Sequence, residues 1–233
     1  MQKKTVLITG ISRGIGKELA LAFSNAGWNV FGCYKTNKPD FEISGLKFVQ
    51  CDISKHEEAE TFVETAQKTF GKIDCLINNA SIGKNKIIFK ETPDNWADVI
   101  QTNLNATFYV IKKAFDVMMK QKGGSIINVS SISAYKSYAG AASYSASKAA
   151  VIALTKTAAR EGGRFGIAVN AVLPGFHLTS LGASAGEKYI EERKLESVLN
   201  TTTDMKEFIE FVLMLAGFKT VSGQIFNIDS RII

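Results

Sequence analysis

The sequence predicts a three-layer α/β/α sandwich built on a doubly wound parallel sheet of about seven strands. Three observations carry that expectation. Short, continuous apolar runs rich in β-branched residues alternate with longer stretches of helical period, as strands do when crossover helices bury both their faces. A glycine-rich turn follows the first such run directly and opens the first helical stretch. The 233 residues are 45% hydrophobic and 21% charged, with 19 glycines against 3 prolines, which suits one ordered domain over residues 1–233.

Taken in order, Thr5–Thr9 (TVLIT) reads as the first buried strand, and residues 15–26 carry apolar side chains at helical spacing. Residues 29–34 and 46–50 read as the next strands, and 57–70 as a helix. Residues 75–78, 125–130, 168–173 and 224–228 complete the strand set, separated by helices around 94–122, 143–161 and 204–216. Right-handed crossovers between parallel strands make such a sheet doubly wound. Residues 176–200 are polar, glycine-dotted and partly helical, and form the expected substrate loop. No repeat, low-complexity segment or linker interrupts the chain.

Lys and Arg outnumber Asp and Glu by 28 to 22, a net charge of +6. The lysines are dispersed in short pairs such as Lys112-Lys113, and no run of five like charges exists. A polyanion-binding tail is therefore excluded, and no nucleic-acid partner is expected. Cys33, Cys51 and Cys75 lack C-x-x-C spacing and sit in or beside apolar runs, so they read as small buried thiols in a reducing compartment. No metal site is expected. The opening residues lead into an apolar stretch of only Val6–Ile8, too short for a signal peptide. No stretch approaches the roughly 18 apolar residues of a membrane span. The expectation is a cytoplasmic protein without a membrane partner.

The turn Thr9-Gly10-Ile11-Ser12-Arg13-Gly14-Ile15-Gly16 stands between strand and helix. Its glycines permit a tight bend and close backbone approach, while the helix N-terminus offers free N–H groups to a pyrophosphate. Its G-x-x-x-G-x-G spacing differs from the general dinucleotide fingerprint.

That variant resembles the cofactor loop of the short-chain dehydrogenase/reductase family. Asn78-Asn79-Ala80, Ser131, Tyr144-x-x-x-Lys148 and Pro174-Gly175 then follow in family order, so the resemblance covers nearly the whole chain. It implies a Rossmann-type fold and an oxidoreductase. For the cofactor it implies contacts from Gly10, Ser12, Arg13, Gly14, Ile15, Gly16, Asn79 and Ala80, from Asp52 and Ile53 at the adenine, and from Pro174, Gly175, His177 and Thr179 at the nicotinamide. An NAD-selecting site offers a carboxylate to the ribose at the end of the second strand. This sequence has Cys33-Tyr34-Lys35 there, with Arg13 in the turn, so NADP(H) is favoured over NAD(H).

Tyr-x-x-x-Lys occurs three times, as Tyr34/Lys38, Tyr109/Lys113 and Tyr144/Lys148. The first straddles a strand end and a proline-bearing turn, and the second lies mid-helix with no polar strand end beside it. Only Tyr144/Lys148 lies on one helix face after a strand ending in Ser131, at the family's Ser-to-Tyr interval. A free phenol has a pKa near 10 and exchanges protons poorly at neutral pH, and an adjacent ammonium favours the phenolate. Tyr144 is thus the expected proton donor and Lys148 its modulator, both also expected cofactor contacts, with Ser131 the carbonyl holder. Asn103 matches the family's helix asparagine, which supports a water relay to the lysine.

The chain departs from the family at Ser81, where glycine usually stands and serine is expected to crowd the cofactor slightly. It departs again at His177, at Thr201–Asp204, and at Asn227–Arg231, which lacks the usual double glycine. The overall resemblance is greatest to 3-oxoacyl-(acyl-carrier-protein) reductases. It implies a ketone substrate, carrier- or CoA-linked, with acyl carrier protein as a partner and Lys120, Lys122, Arg160 and Arg164 as its docking patch. Reduction of a small ketone, sugar or steroid-like alcohol is the alternative, and a non-catalytic NADP(H)-binding regulator a remote one. Apolar or small residues on more than one face of 108–119 and 149–159 imply a homo-oligomer, tetramer or dimer.

Overall fold

A computed structural model describes residues 2–177 and 186–233. Seven strands form one parallel sheet: β1 (Thr5–Thr9), β2 (Asn29–Tyr34), β3 (Leu46–Gln50), β4 (Cys75–Asn78), β5 (Gly124–Val129), β6 (Ile167–Leu173) and β7 (Ile225–Asn227). Their spatial order is β3-β2-β1-β4-β5-β6-β7, so the winding reverses between β1 and β4. The crevice at that switch point, outside the C-terminal strand ends, is where such sheets bind ligands. Val6 lies between Val30 of β2 and Cys75 of β4, which fixes the register at the centre.

Among the described residues the α-helices are α1 (Gly14–Asn25), α2 (His56–Phe70), α3 (Pro93–Ile100), α4 (Ala106–Gln121), α5 (Ala142–Gly162), α6 (Glu187–Leu195) and α7 (Met205–Leu215). Strand side chains alternate between two cores. Leu7, Phe31, Leu76, Ile126 and Val169 meet α2, α4 and α5 on one face. Val6, Ile8, Val30, Ile77 and Val172 meet α1 and α7 on the other. This two-sided burial explains why the central strands are apolar on both faces rather than alternating. All three cysteines are free and buried. Among the described residues no helix is long and apolar enough to cross a membrane.

Helix ends follow local chemistry. The α2 helix begins with Glu57 and Glu58 in its first turn and stops at Gly71, whose φ of +81° continues no helix. The α3 helix has Thr92 as its cap, accepting from the Asn95 N–H, and Pro93 in its first turn. The stretch 93–121 is helical throughout, as expected, and widens into a π-turn over Gln101–Asn105 between α3 and α4. Asn103, inside that turn, is buried.

Candidate active site

The glycine turn folds as its spacing requires. Gly10 adopts a φ of +73° and lies so close to Ala80 that a Cβ would stand 2.9 Å from the Ala80 Cα. A Cβ on Gly16 would stand 2.0 Å from the Gly10 carbonyl oxygen, so helix and turn touch backbone to backbone. Gly14, at φ +57°, opens α1. No side chain caps that helix and no acid occupies its first turn, which leaves its N–H groups and partial positive charge available to an anion.

Side chains tie the turn to the end of β4. The Asn79 amide donates to the Thr9 and Gly10 carbonyls, each at 3.0 Å, and the Thr9 hydroxyl accepts from the Asn79 and Ala80 N–H groups. Asn79 and Ala80 thus close the crevice between β1 and β4. The sequence reads Thr9 as the end of the first strand and the start of the turn, and its role as a clamp leaves no local signal.

The cation group at the edge is more dispersed. Lys35, following β2, forms an ion pair with Asp52 at 2.8 Å with its side chain 61% exposed. Desolvation pushes the Asp52 carboxyl up, but hydrogen bonds from Lys35 and Ser54 outweigh it and hold the carboxyl below its ordinary value. Ser12 donates to the Asn37 carbonyl at 2.6 Å, and Arg13 is exposed beside Lys17 and Asp40. Ile53 enters the core instead, at 7% exposure.

The other site residues meet at one cavity of ≈ 550 Å³ outside the C-terminal ends of β4, β5 and β6. Ile15, Asn79, Ser81, Ser131, Tyr144, Lys148, Pro174, Gly175 and His177 all line it. The Asn78 amide donates to Asn128 at 2.8 Å and the Asn128 amide to Thr155 at 2.9 Å, which registers β4, β5 and α5. On α5, Tyr144 and Lys148 are one turn apart, with the Lys148 Nζ 5.7 Å from the Tyr144 ring centroid. Lys148 donates to the Val129 carbonyl at 2.8 Å, while the Ser130 hydroxyl donates to the Lys148 carbonyl at 2.9 Å. Complete burial pushes the Lys148 ammonium down from its ordinary 10.5 to about 8, so it stays mainly charged at neutral pH. The Ser131 hydroxyl caps a short turn by accepting from the Ser133 N–H at 3.1 Å, leaving its proton for another acceptor.

Asn103 stands behind this cavity rather than on it. Its oxygen accepts from the Ile82 N–H at 2.8 Å, and its amide donates to the Ile82 carbonyl at 2.9 Å and to the Ser147 hydroxyl at 3.1 Å. The side chain therefore fixes the loop after β4 against α5, and the π-turn is what lets it do so. His177 is 7% exposed, with Nδ1 3.0 Å from the Thr203 carbonyl and its ring edge-on to Phe208. Burial holds it below the ordinary histidine range. Thr179 lies outside the described residues.

The two other Tyr-x-x-x-Lys pairs are structural. Tyr34 and Lys38 both pack on Phe48. Lys113 pairs with Glu64 of α2 at 2.5 Å, and Tyr109 packs on His56. Sequence reading missed Tyr138 and Arg231, which line the cavity beside Ser131. Arg231 carries no local signal, since only the fold brings the last strand's exit to this wall.

The chain is similar to known proteins over most of its length. Residues 4–190 match the family model described as short chain dehydrogenase. The 3-oxoacyl-(acyl-carrier-protein) reductase FabG of Staphylococcus epidermidis is 34% identical over 97% of this chain and 97% of its own. The acetoacetyl-CoA reductase of an Acinetobacter species is 33% identical over 93% of this chain and 91% of its own. Among solved structures, a variant actinorhodin polyketide ketoreductase with NADPH superimposes with a TM-score of 0.89 at 27% identity, covering 98% of this chain and 96% of that one. ElxO with NADP bound gives 0.90 at 28%, covering 98% of both.

Proposed function

The chain belongs to the short chain dehydrogenase family of oxidoreductases, and on that premise we propose that it reduces the 3-oxo group of an acyl thioester with NADPH. The observation that carries this reading is the convergence of Ser131, Tyr144 and Lys148 on one cavity beside the glycine turn. Both curated relatives are named for reduction of a 3-oxoacyl thioester, and both solved neighbours are described with NADP(H).

The backbone cradle at Gly10 and Gly16, which a Cβ would fill, fits a pyrophosphate against the uncapped start of α1. Gly10, Ser12, Gly14, Ile15, Asn79 and Ala80 would hold the cofactor there, Arg13 and Lys35 its 2′-phosphate, Asp52 its adenine, and Pro174, Gly175 and His177 its nicotinamide end. When bound, the cofactor supplies a hydride. Ser131 then holds the substrate's carbonyl oxygen, where negative charge develops. Tyr144 gives that oxygen a proton, and the Lys148 ammonium stabilises the phenolate left behind. Asn103 acts through others, as a positioning residue for the loop at Ile82 and for α5.

Two further readings concern partners. Ala146, Ala149 and Ala153 leave an exposed face of small residues on α5, which supports a homo-oligomer. A carrier protein docked on Lys120, Lys122, Arg160 and Arg164 would sit at the N-terminal ends of β5 and β6, opposite the cavity. The six residues of β5 separate the two by roughly 20 Å. Within one subunit that patch therefore serves only a long flexible arm.

The test is a rate comparison with purified protein, NADPH against NADH, over acetoacetyl-CoA, a 3-oxoacyl carrier protein and plain ketones. The expected result is NADPH-dependent reduction that is fastest on a thioester. Faster turnover of plain ketones, or preference for NADH, overturns the reading.

A further inference from the structure

Two stretches that depart from the family, 201–204 and 227–231, return to the catalytic cavity. A Cβ on Gly175, at φ +77°, would stand 2.0 Å from the Thr203 hydroxyl oxygen and 3.1 Å from the Asp229 Cβ. The Thr203 carbonyl meets His177. Arg231, two residues from the end of the sequence, lines the cavity together with Tyr138, Ser131 and Tyr144, yet is only 4% exposed.

The guanidinium is firmly held and only partly used. Its Nε donates to Asp229 Oδ2 at 2.6 Å, and its Nη2 pairs with the same oxygen. Its Nη1 faces the Tyr138 hydroxyl at 3.5 Å, the limit of a hydrogen bond. That hydroxyl gives its own proton to Glu196 at 3.0 Å. The Arg231 backbone is fixed as well, since its N–H donates to Asp229 at 3.2 Å and its carbonyl accepts from Asn227 at 2.9 Å. A guanidinium has five N–H donors, and Asp229 takes two of them. Among the described residues, the outer edge of the fork is left with one long contact, on the wall of the cavity that holds the reacting groups. Burying such a cation is costly unless its donors are satisfied. A ligand oxygen in the cavity would satisfy them.

We propose that Arg231 determines substrate choice by donating from its outer edge to an acceptor oxygen that the substrate carries away from the reacting carbonyl. For a 3-oxoacyl substrate that oxygen is the thioester carbonyl, and this assignment rests on the reading above. Asp229 orients the fork and balances its charge, so a neutral carbonyl suffices as the acceptor. A plain monoketone has nothing to offer it.

The experiment compares wild type, Arg231→Lys and the double variant Asp229→Asn/Arg231→Met at saturating NADPH, with acetoacetyl-CoA and cyclohexanone as substrates. Lysine keeps a cation for Asp229 but not the fork, whereas the double variant strands no buried charge. One of the two therefore reports even where the other folds poorly, and thermal unfolding of the same samples identifies which. The ratio of kcat/KM for the thioester to that for cyclohexanone is expected to fall about tenfold to a hundredfold, chiefly through KM. A ratio that both variants keep, even with both rates lowered, assigns Arg231 a purely structural role and overturns the proposal. A wild-type protein that reduces cyclohexanone in preference to the thioester refutes the substrate reading instead.

Discussion

Replacing Lys148 by methionine separates the energetics of the fold from those of the site. The lysine is buried, and burial lowers its pKa from 10.5 to about 8. At about 1.4 kcal/mol per pH unit, that gap represents roughly 3 kcal/mol held against the folded state at neutral pH. Against this stands its hydrogen bond to the Val129 carbonyl at 2.8 Å, whose loss strands a buried acceptor at a cost of about 1–3 kcal/mol. Lys148→Met is therefore expected to be neutral or up to about 2 kcal/mol more stable than wild type at pH 7, while kcat falls on the order of 10²- to 10⁴-fold. The sign with pH follows from proton counting. Between pH 8 and 10.5 the unfolded lysine binds a proton that the folded one does not, so wild-type stability rises with pH across that window. The contribution is fully present above 10.5 and lost as pH falls through 8. Urea unfolding of both proteins across the window should show wild type gaining on the variant by about 1.4 kcal/mol per pH unit. A variant less stable by more than about 2 kcal/mol at pH 7, or a difference that stays flat with pH, refutes the argument.

Three further outcomes follow from the same geometry. Tyr144→Phe removes the proposed proton donor from the cavity, so kcat should fall on the order of 10²- to 10⁴-fold while NADPH affinity, read by nucleotide fluorescence, is kept; sustained turnover would exclude Tyr144 as the acid. Arg13→Ala combined with Lys35→Ala should raise KM for NADPH about tenfold and hardly move that for NADH, and equal effects on both would remove these cations from 2′-phosphate recognition. Asn103→Ala strips the Ile82 N–H and carbonyl of their partners and should cost about 2 kcal/mol in urea unfolding, with a wild-type midpoint counting against its positioning role.

Much of this protein was legible in order along the chain. Apolar-rich runs in β1, β4, β5 and β6 pointed to burial on both faces, and the Gly10–Gly16 turn required a helix N-terminus at a strand end. Both are local properties of backbone and side chain, so neighbouring residues state them. The spacing of Tyr144 and Lys148 is likewise local, and choosing it over two rival pairs needed only the preceding strand end at Ser131.

The tertiary structure decided what depends on distant partners. Asn103 reads as a helix residue, but its bonds to Ile82 and Ser147 join three segments, from within a π-turn that no periodicity announces. Lys35 reads as a free cation until β3 places Asp52 beside it. Arg231 stands in the sequence only as part of a departing segment, yet β7 emerges next to Tyr138 and carries it into the cavity. Hydrophobic period and turn chemistry act over a few residues and are written in the sequence. The environment of a charge is set by whatever the fold packs against it, and for Lys148 and Arg231 that is the whole end of the sheet.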